Sequence, residues 1–135
     1  MKKFELTTES ITFLGRTLFR IKALISFGNV EAGELGGYIE KEGNLSHEGN
    51  AWVCGDARVC GDADIATISG FGSKYRTTTF FRTKNDEIAV KCGCFYGTLA
   101  EFREKVKETH GDNRYAKEYL MIADLMEMHF RGEEE

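Results

Sequence analysis

The hydrophobic pattern at the start of the chain is typical of β-strands. Residues 11–13 and 17–27 are rich in β-branched and aromatic side chains, and Gly15 separates them where a hairpin turn would fall. Later in the chain, two apolar strand patterns, 77–83 and 88–94, flank a polar turn. The pattern therefore predicts two antiparallel hairpins.

The last third of the chain has helical periodicity. Leu99, Phe102 and Val106 recur on one helical face. Thr98 precedes them, and Glu101 follows three residues later, which is the spacing of a capping box. These positions predict a first helix beginning after Thr98.

A second helix follows directly. Gly111, after His110, is a natural end for the first helix, and Asp112 or Asn113 can cap the next. The second apolar stripe consists of Tyr115, Tyr119, Ile122, Met126 and Phe130. The sequence therefore predicts two consecutive helices.

A six-residue repeat occupies the middle of the chain. From Gly43 it runs GNLSHE, GNAWVC, GDARVC and GDADIA, and residues 37–42 form a weaker unit. Each unit begins with Gly, followed in the four strong units by Asn or Asp, which tolerate left-handed corners. The third place of the four strong units holds Leu45, Ala51, Ala57 and Ala63. The fifth place holds His47, Val53, Val59 and Ile65. This period predicts a left-handed parallel β-helix with these places facing inward.

The repeat is too short to stand alone. Because about three hexads complete one turn of such a helix, four or five hexads make fewer than two turns. The repeat must then pack against the rest of the chain or against other subunits. Since an exposed strand edge favours pairing, we expect a homo-oligomer.

Together these elements predict an α+β fold in one domain, residues 1–135. Its parts are N-terminal strands in 1–36, the hexapeptide-like repeat in 37–69, a loop and β-hairpin in 70–97, and two helices in 98–131.

Composition agrees with a folded domain. The 135 residues include 15 glycines and no proline, where an average chain of this length has about nine glycines and about seven prolines. Ten of the glycines lie between Gly28 and Gly72. The lack of proline excludes proline-rich linkers, and the glycine spacing excludes collagen.

Charge points to a small anionic partner. The net charge is −4, but residues 73–84 carry Lys74, Arg76, Arg82 and Lys84 with no acidic residue. Long duplex nucleic acid usually binds an extended basic face, so we expect none as a partner. The alternative is that these cations only solvate one face of a strand.

We expect a cytoplasmic protein with no membrane partner. No apolar run is long enough to cross a membrane, and the first residues do not form a signal peptide. The cysteines are then thiols, and their spacing is not that of a zinc knuckle. A zinc site from Cys92, Cys94 and His110 is an open alternative, but we expect neither a metal nor a cofactor.

The best candidate for a ligand site lies in residues 70–79. Glycines there let backbone N–H groups approach an anion, while hydroxyl and cationic side chains add hydrogen bonds and charge. Phe95 and Tyr96, just before a helix start, can stack on a purine. The predicted ligand-binding residues are Gly72, Ser73, Lys74, Arg76, Thr78, Arg82, Phe95 and Tyr96. The alternatives are a plain connecting loop and a Phe95 packed in the core.

Other residues admit functional and structural interpretations. His110 can be a catalytic base or only part of a helix end. His47 occupies an inward place, which is unusual for a polar ring. A histidine between subunits is the general base of hexapeptide acyltransferases, but these hexads can hardly build the groove that such enzymes need. Trp52, Arg58 and Asp64 occupy equivalent outward places and predict either a protein-binding face or a solvated one. We expect no catalytic residue.

Three parts of the chain carry distinctive motifs: residues 17–42, the hexads of 43–66, and a C-terminal run with TTFFR (78–82), CGCF (92–95) and ETHGDN (108–113). Through them, nearly the whole chain resembles a hexapeptide-repeat protein family of phages and prophages of Gram-positive gut bacteria. It implies a phage protein acting in the host cytoplasm, and no established activity. The order of sheet and two helices is also similar, as an analogy of architecture, to phage sponge proteins that capture nucleotide immune signals.

Three functions remain open at this point. The first is a non-enzymatic counter-defence protein that sequesters a small anionic nucleotide-type signal at an oligomer interface. The second is a protein-binding inhibitor of a bacterial defence complex, of the anti-CRISPR type, whose partner is a host defence protein. The third, and least supported, is a hexapeptide-type acyltransferase.

Overall fold

The computed structural model describes residues 2–72 and 76–131. The strands of the described residues are β1 (Phe4–Phe13), β2 (Arg16–Ala23), β3 (Leu35–Ile39), β4 (Arg58–Val59), β5 (Ile65–Phe71), β6 (Arg76–Arg82), β7 (Ile88–Cys92) and β8 (Phe95–Thr98). The helices are α1 (Leu99–His110) and α2 (Arg114–Arg131). Short 3-10 turns occur at Glu42–Asn44 and Asp62–Asp64.

The strands form two sheets of four. In the first sheet, of order β1-β2-β3-β4, β3 pairs in parallel with β4 and the other pairs are antiparallel. The second sheet, of order β5-β6-β7-β8, is antiparallel throughout. The predicted α+β class, with strands first and two helices at the end, is confirmed.

The second sheet extends beyond the predicted hairpin at both ends. β5 continues to Phe71, so the start of the predicted loop is strand. The predicted strand 88–94 ends at Cys92, and Gly93, at φ 60°, begins a turn into β8. Glycine accepts a positive φ at the first central position of a two-residue hairpin turn, which explains why the strand stops there.

No left-handed β-helix is detected in residues 2–72, although the six-residue period predicts one. The hexapeptide segment contains β4, the two 3-10 turns and irregular chain, and it pairs in parallel with β3 alone. The Gly37 N–H donates to the Val53 carbonyl, and the Glu40 N–H donates to the Val59 carbonyl, each at 2.9 Å. One such pairing forms a single coil of chain, and a β-helix needs several coils in a stack.

Five of the eight predicted inward places are buried, namely Leu45, Ala51, Val53, Ala57 and Val59. His47, in the first strong hexad, is half-buried. The last hexad departs from the pattern, because Ala63 is exposed and Ile65 is half-buried at the start of β5. The repeat thus predicts which side chains enter the core better than it predicts the backbone path.

The predicted outward ladder is wrong at Trp52. The Trp52 side chain is fully buried, and its ring meets that of Phe27 edge-on at a centroid distance of 5.4 Å. Gly36 provides the space, since a Cβ there would stand 2.8 Å from the indole Cζ2. Arg58 and Asp64 are half-buried, so the three side chains do not form one solvated face.

The second sheet separates two hydrophobic cores. Phe80 and Val90 pack with the two helices, whereas their neighbours Phe81 and Ala89 pack with the first sheet and the hexapeptide segment. This follows from the alternation of side chains along a strand. The molecule therefore has three layers, with the second sheet in the middle.

Side-chain caps fix the helix ends. The Thr98 hydroxyl accepts from the Glu101 N–H at 3.1 Å, and the Glu101 carboxylate accepts from the Thr98 N–H at 2.9 Å, which confirms the capping box. Gly111 ends α1 at φ 65°, and the Asn113 side chain accepts from the Ala116 N–H at 3.0 Å. Neither described helix combines the length and the apolar composition needed to span a membrane.

Candidate functional site

A cleft of about 230 Å³ opens between the helices and one end of the second sheet. It is called the Arg76 cleft below. It is lined by Arg76, Cys92, Cys94, Phe95, Phe102, Lys105, Val106, Thr109, His110 and Tyr119. Aromatic and apolar side chains form most of its wall, and basic side chains border it.

Arg76 is the least compensated of these basic groups. Its side chain is exposed at the start of β6, and its guanidinium lies against Gly93 in the β7–β8 turn. No carboxylate of the described residues lies within 4 Å of it, whereas the Lys105 ammonium is 3.3 Å from the Glu108 carboxylate. An unpaired guanidinium offers several N–H donors to an anion such as phosphate.

Three aromatic rings form the interior of the Arg76 cleft. Phe95 and Phe102 have a centroid distance of 5.9 Å, and Phe102 meets Tyr119 edge-on at 5.6 Å. The His110 ring, at the end of α1, stacks on Tyr119 at 6.1 Å. Aromatic faces beside cations are the surroundings in which proteins hold nucleobases and their phosphates.

Tyr119 closes the inner end of the cleft in its neutral form. Its hydroxyl donates to the Phe71 carbonyl at 3.0 Å. Burial raises the pKa of Tyr119 to about 12, so the phenol keeps its proton over the physiological range. Gly72 leaves room for this hydroxyl, because a Cβ at that position would overlap it.

The structure brings part of the predicted site together. Arg76 and Phe95 line the cleft. Gly72 lies behind the Tyr119 ring, and buried Thr78 donates its hydroxyl to the Cys92 sulfur at 3.2 Å, so both support the wall. Ser73 and Lys74 lie outside the described residues.

Arg82 is not part of this cleft. It lies at the opposite end of β6, where its guanidinium contacts Asp64 at 2.8 Å and Asp86 at 3.0 Å and also donates to the Phe130 carbonyl. These contacts link the sheet, the hexapeptide segment and the end of α2. Arg82 therefore has a structural explanation that the sequence pattern did not reveal.

Tyr96 faces away from the cleft. It is adjacent to Phe95 on β8, so the two side chains point to opposite faces of the sheet. Its ring stacks on Phe81 at 6.2 Å and lies against Gly55 in the hexapeptide segment. Phe95 and Tyr96 therefore cannot stack on the same base in this structure.

The residues of the zinc alternative do meet in the Arg76 cleft. Cys92, Cys94 and His110 all line it, and both cysteines are free thiols. Within residues 2–72 and 76–131, however, no group of three His, Cys, Asp or Glu side chains is arranged to hold a metal ion.

His47, the inward histidine of the repeat, is held by structural contacts on both ring nitrogens. Its Nδ1 accepts from the Lys3 N–H at 3.0 Å, and its Nε2 lies 2.7 Å from the Glu42 carboxylate. Its ring stacks on Phe4 at 4.3 Å. These contacts join β1 to the hexapeptide segment.

Sequence reasoning gave no ligand role to five of the cleft residues: Phe102, Lys105, Val106, Thr109 and Tyr119. For the cleft residues in α1, the sequence does contain an indication. The apolar stripe of Leu99, Phe102 and Val106 becomes polar at Thr109, one turn before the helix ends. A core stripe that turns polar marks the point where a helix passes beyond the sheet that it covers.

Comparison of the chain with protein-family models, with curated proteins and with solved structures finds no match. The Arg76 cleft presents one unpaired guanidinium, two further basic groups and three aromatic rings. This combination suits a small planar anion.

Proposed function

We propose that the protein binds and sequesters a small anionic nucleotide-type ligand in the Arg76 cleft, without chemical conversion. In a phage setting, as the family resemblance implies, this is a counter-defence function that removes a host signal. The ligand's phosphate pairs with Arg76, and its planar ring packs on the half-buried Phe95, beside the buried Phe102 and Tyr119. Lys105 adds a positive charge at the border of the cleft, and His110 adds a polar ring nitrogen there.

One observation carries this proposal. The Arg76 guanidinium has no carboxylate partner among the described residues, although acidic residues outnumber basic ones by 22 to 18. Six of the seven other described arginines contact a carboxylate, namely Arg16, Arg20, Arg82, Arg103, Arg114 and Arg131. The seventh, Arg58, also lacks a carboxylate partner in the described part of the chain, but it donates to the Ala57 carbonyl and lies over the Tyr38 ring. A cation left unpaired beside an aromatic cleft is suited to an external anion.

The test is calorimetric titration with nucleotides and ADP-ribose, with inorganic phosphate as a reference. The wild type is expected to bind at least one nucleotide more tightly than phosphate. Arg76→Ala is expected to weaken that binding by about tenfold or more, because a charged hydrogen bond contributes about 1.5–3 kcal/mol.

Lys84→Ala is the matched control. It removes the same charge from the β6–β7 turn at the other end of the sheet and should leave nucleotide affinity within about twofold. Melting temperatures of both variants should stay near that of the wild type. Failure of the wild type to bind any nucleotide would overturn the proposal.

A second candidate function is supported by the outer face of α2. Met121, Leu125 and Met128 are 70%, 48% and 66% exposed, and their spacing places them in one stripe. Exposed apolar stripes of this kind favour protein contacts. The alternative proposal is that this stripe binds and inhibits a protein of a bacterial defence complex.

We propose in addition that the protein forms a homo-oligomer, and this can be tested separately from the binding of a defence protein. Sedimentation velocity over a range of concentrations should show an oligomer that Leu125→Asp dissociates, if the stripe joins copies of this chain. If the protein stays monomeric throughout, the homo-oligomer proposal fails. Loss of host-protein inhibition in the same variant, with nucleotide binding intact, would favour the alternative.

A further inference from the structure

Arg76 borders a second cavity besides the Arg76 cleft. This cavity, called the Asn50 pocket below, has a volume of about 140 Å³. It is lined by Gly28, Asn29, Val30, Asn50, Arg76, Thr77, Lys91 and Gly93. The two cavities share the Arg76 side chain, and the Asn50 pocket contains no aromatic ring in its wall.

Two tight turns bring the walls of the Asn50 pocket together. Phe27 and Val30 exchange backbone hydrogen bonds at 2.8 and 2.9 Å around Gly28, which has φ 53°. The second turn holds Gly93, and the Lys91 ammonium donates to the Gly93 carbonyl. The position of a Gly28 Cβ would lie 3.5 Å from the Asn50 side chain, so the first turn also packs against the hexapeptide segment.

The polar groups of the Asn50 pocket are available to a ligand. The Asn29 and Asn50 side chains are exposed, and neither amide hydrogen-bonds within the described residues. Each amide offers donors and an acceptor, which is the pairing that base edges and sugar hydroxyls need. Thr77 adds a hydroxyl, which lies 3.0 Å from that of Ser69.

We propose that the ligand has two nucleoside units joined through phosphate, with the phosphate at Arg76 and Lys91 between the two cavities. One unit enters the aromatic Arg76 cleft, and the other hydrogen-bonds to Asn29 and Asn50. This inference rests on the proposed function and narrows its ligand class to phosphodiester-linked dinucleotides, linear or cyclic. A mononucleotide fills only one cavity, so the Asn29 and Asn50 amides hydrogen-bond to water instead of to the ligand.

Calorimetry with AMP and GMP, and with linear and cyclic diadenylate and diguanylate, tests this inference. At least one dinucleotide should bind about tenfold or more tightly than its mononucleotide, as two or more added hydrogen bonds imply. Asn29→Ala/Asn50→Ala should lower that dinucleotide affinity to the mononucleotide value. The same double variant should leave mononucleotide affinity within about twofold.

Asn85→Ala is the control, because Asn85 is an exposed asparagine in the β6–β7 turn, away from both cavities. Equal affinities for mono- and dinucleotides, or no effect of the double variant, would overturn the two-cavity inference while leaving the proposed function intact. Absence of all nucleotide binding by the wild type would overturn both.

Discussion

The guanidinium of Arg76 lies so close to Gly93 that a Cβ at residue 93 would overlap its Nη1 atom. Gly93 also has a positive φ, of 60°, which other residues adopt at a cost. A single glycine therefore serves two purposes. It permits the turn between β7 and β8, and it leaves the space in which the cleft's unpaired cation rests.

Gly93→Ala is expected to move Arg76 as well as to strain the turn. We expect a loss of about 1–2 kcal/mol in the free energy of unfolding, the cost of a left-handed backbone for a residue with a Cβ. Since Arg76 can shift its flexible end, the overlap should reduce nucleotide affinity more than stability. Denaturant unfolding and calorimetry measure the two effects.

Gly111→Ala is the matched control for this variant. Gly111 has a similar φ of 65°, but nothing lies within 4 Å of its Cβ position. It should lose at least as much free energy of unfolding, because its ψ of −114° lies outside the left-handed helical region, and it should keep wild-type nucleotide affinity. Equal affinities in the two variants would contradict the role assigned to Gly93.

The buried ammonium of Lys3 predicts a pH dependence of stability. Lys3 is 1% exposed, and it donates to the Ala51 carbonyl at 2.6 Å, with no carboxylate of the described residues within 4 Å. Burial lowers its pKa from 10.5 to about 8. The unfolded chain therefore holds the Lys3 proton up to a higher pH than the folded chain does.

Because the unfolded state binds more protons between pH 8 and 10.5, stability should rise with pH across this window. The rise is about 1.4 kcal/mol per unit, or roughly 3 kcal/mol in all. The unfolding free energy of the wild type should therefore rise relative to that of Lys3→Met as the pH increases through this window. Lys2→Met, which removes an exposed lysine, should show no such change, and a flat difference for Lys3→Met would count against the assignment.

Gly36→Ala is expected to destabilise the first core by overpacking. A Cβ there would stand 2.6 Å from the Val53 carbonyl oxygen and 2.7 Å from Ile21 Cγ1. Because a backbone atom is among these neighbours, the collision cannot be relieved by a side-chain rotation. We expect a loss of about 1–3 kcal/mol in denaturant unfolding. Gly43→Ala, with open space around its Cβ, should lose less than half of that.

Trp52, the one tryptophan of the chain, reports directly on the first core. Since its side chain is fully buried, its fluorescence should be blue-shifted in the native protein and nearly inaccessible to acrylamide. Unfolding should shift the emission to the red and restore quenching to the level of free tryptophan. Native emission like that of exposed tryptophan would mean that the ring faces solvent, as the repeat pattern alone predicts.

The parts of the fold that depend on neighbouring residues could be predicted from the sequence. The Thr98 capping box, the end of α1 at Gly111 and the buried third and fifth places of the two middle hexads are examples. The backbone path of the hexads could not be predicted this way. A coil of hexads can pack against a further coil, as in a β-helix, or against another part of the chain. Here it packs against Phe81 and Ala89 of the second sheet.

The candidate site was predictable where charge and glycine are concentrated in sequence. Arg76 was found because its segment is basic, and Phe95 because it precedes a helix start. Lys105 and Tyr119 were not found, because they reach the cleft only through the packing of both helices on the sheet. Arg82 was selected from the same basic segment, yet its contacts with Asp64 and Asp86 depend on a chain reversal that charge counting cannot show.

The adjacent residues Phe80 and Phe81 support different cores, and this ties the two halves of the molecule to one another. If the chain were cut before β5, the C-terminal fragment would keep its helices but leave Phe81 and Ala89 on a bare apolar sheet face. The N-terminal fragment would lack the sheet that covers its hexads. Each half thus covers an apolar face of the other. The Asn50 pocket, which takes Asn29 and Asn50 from one half and Arg76 and Lys91 from the other, exists only in the whole chain.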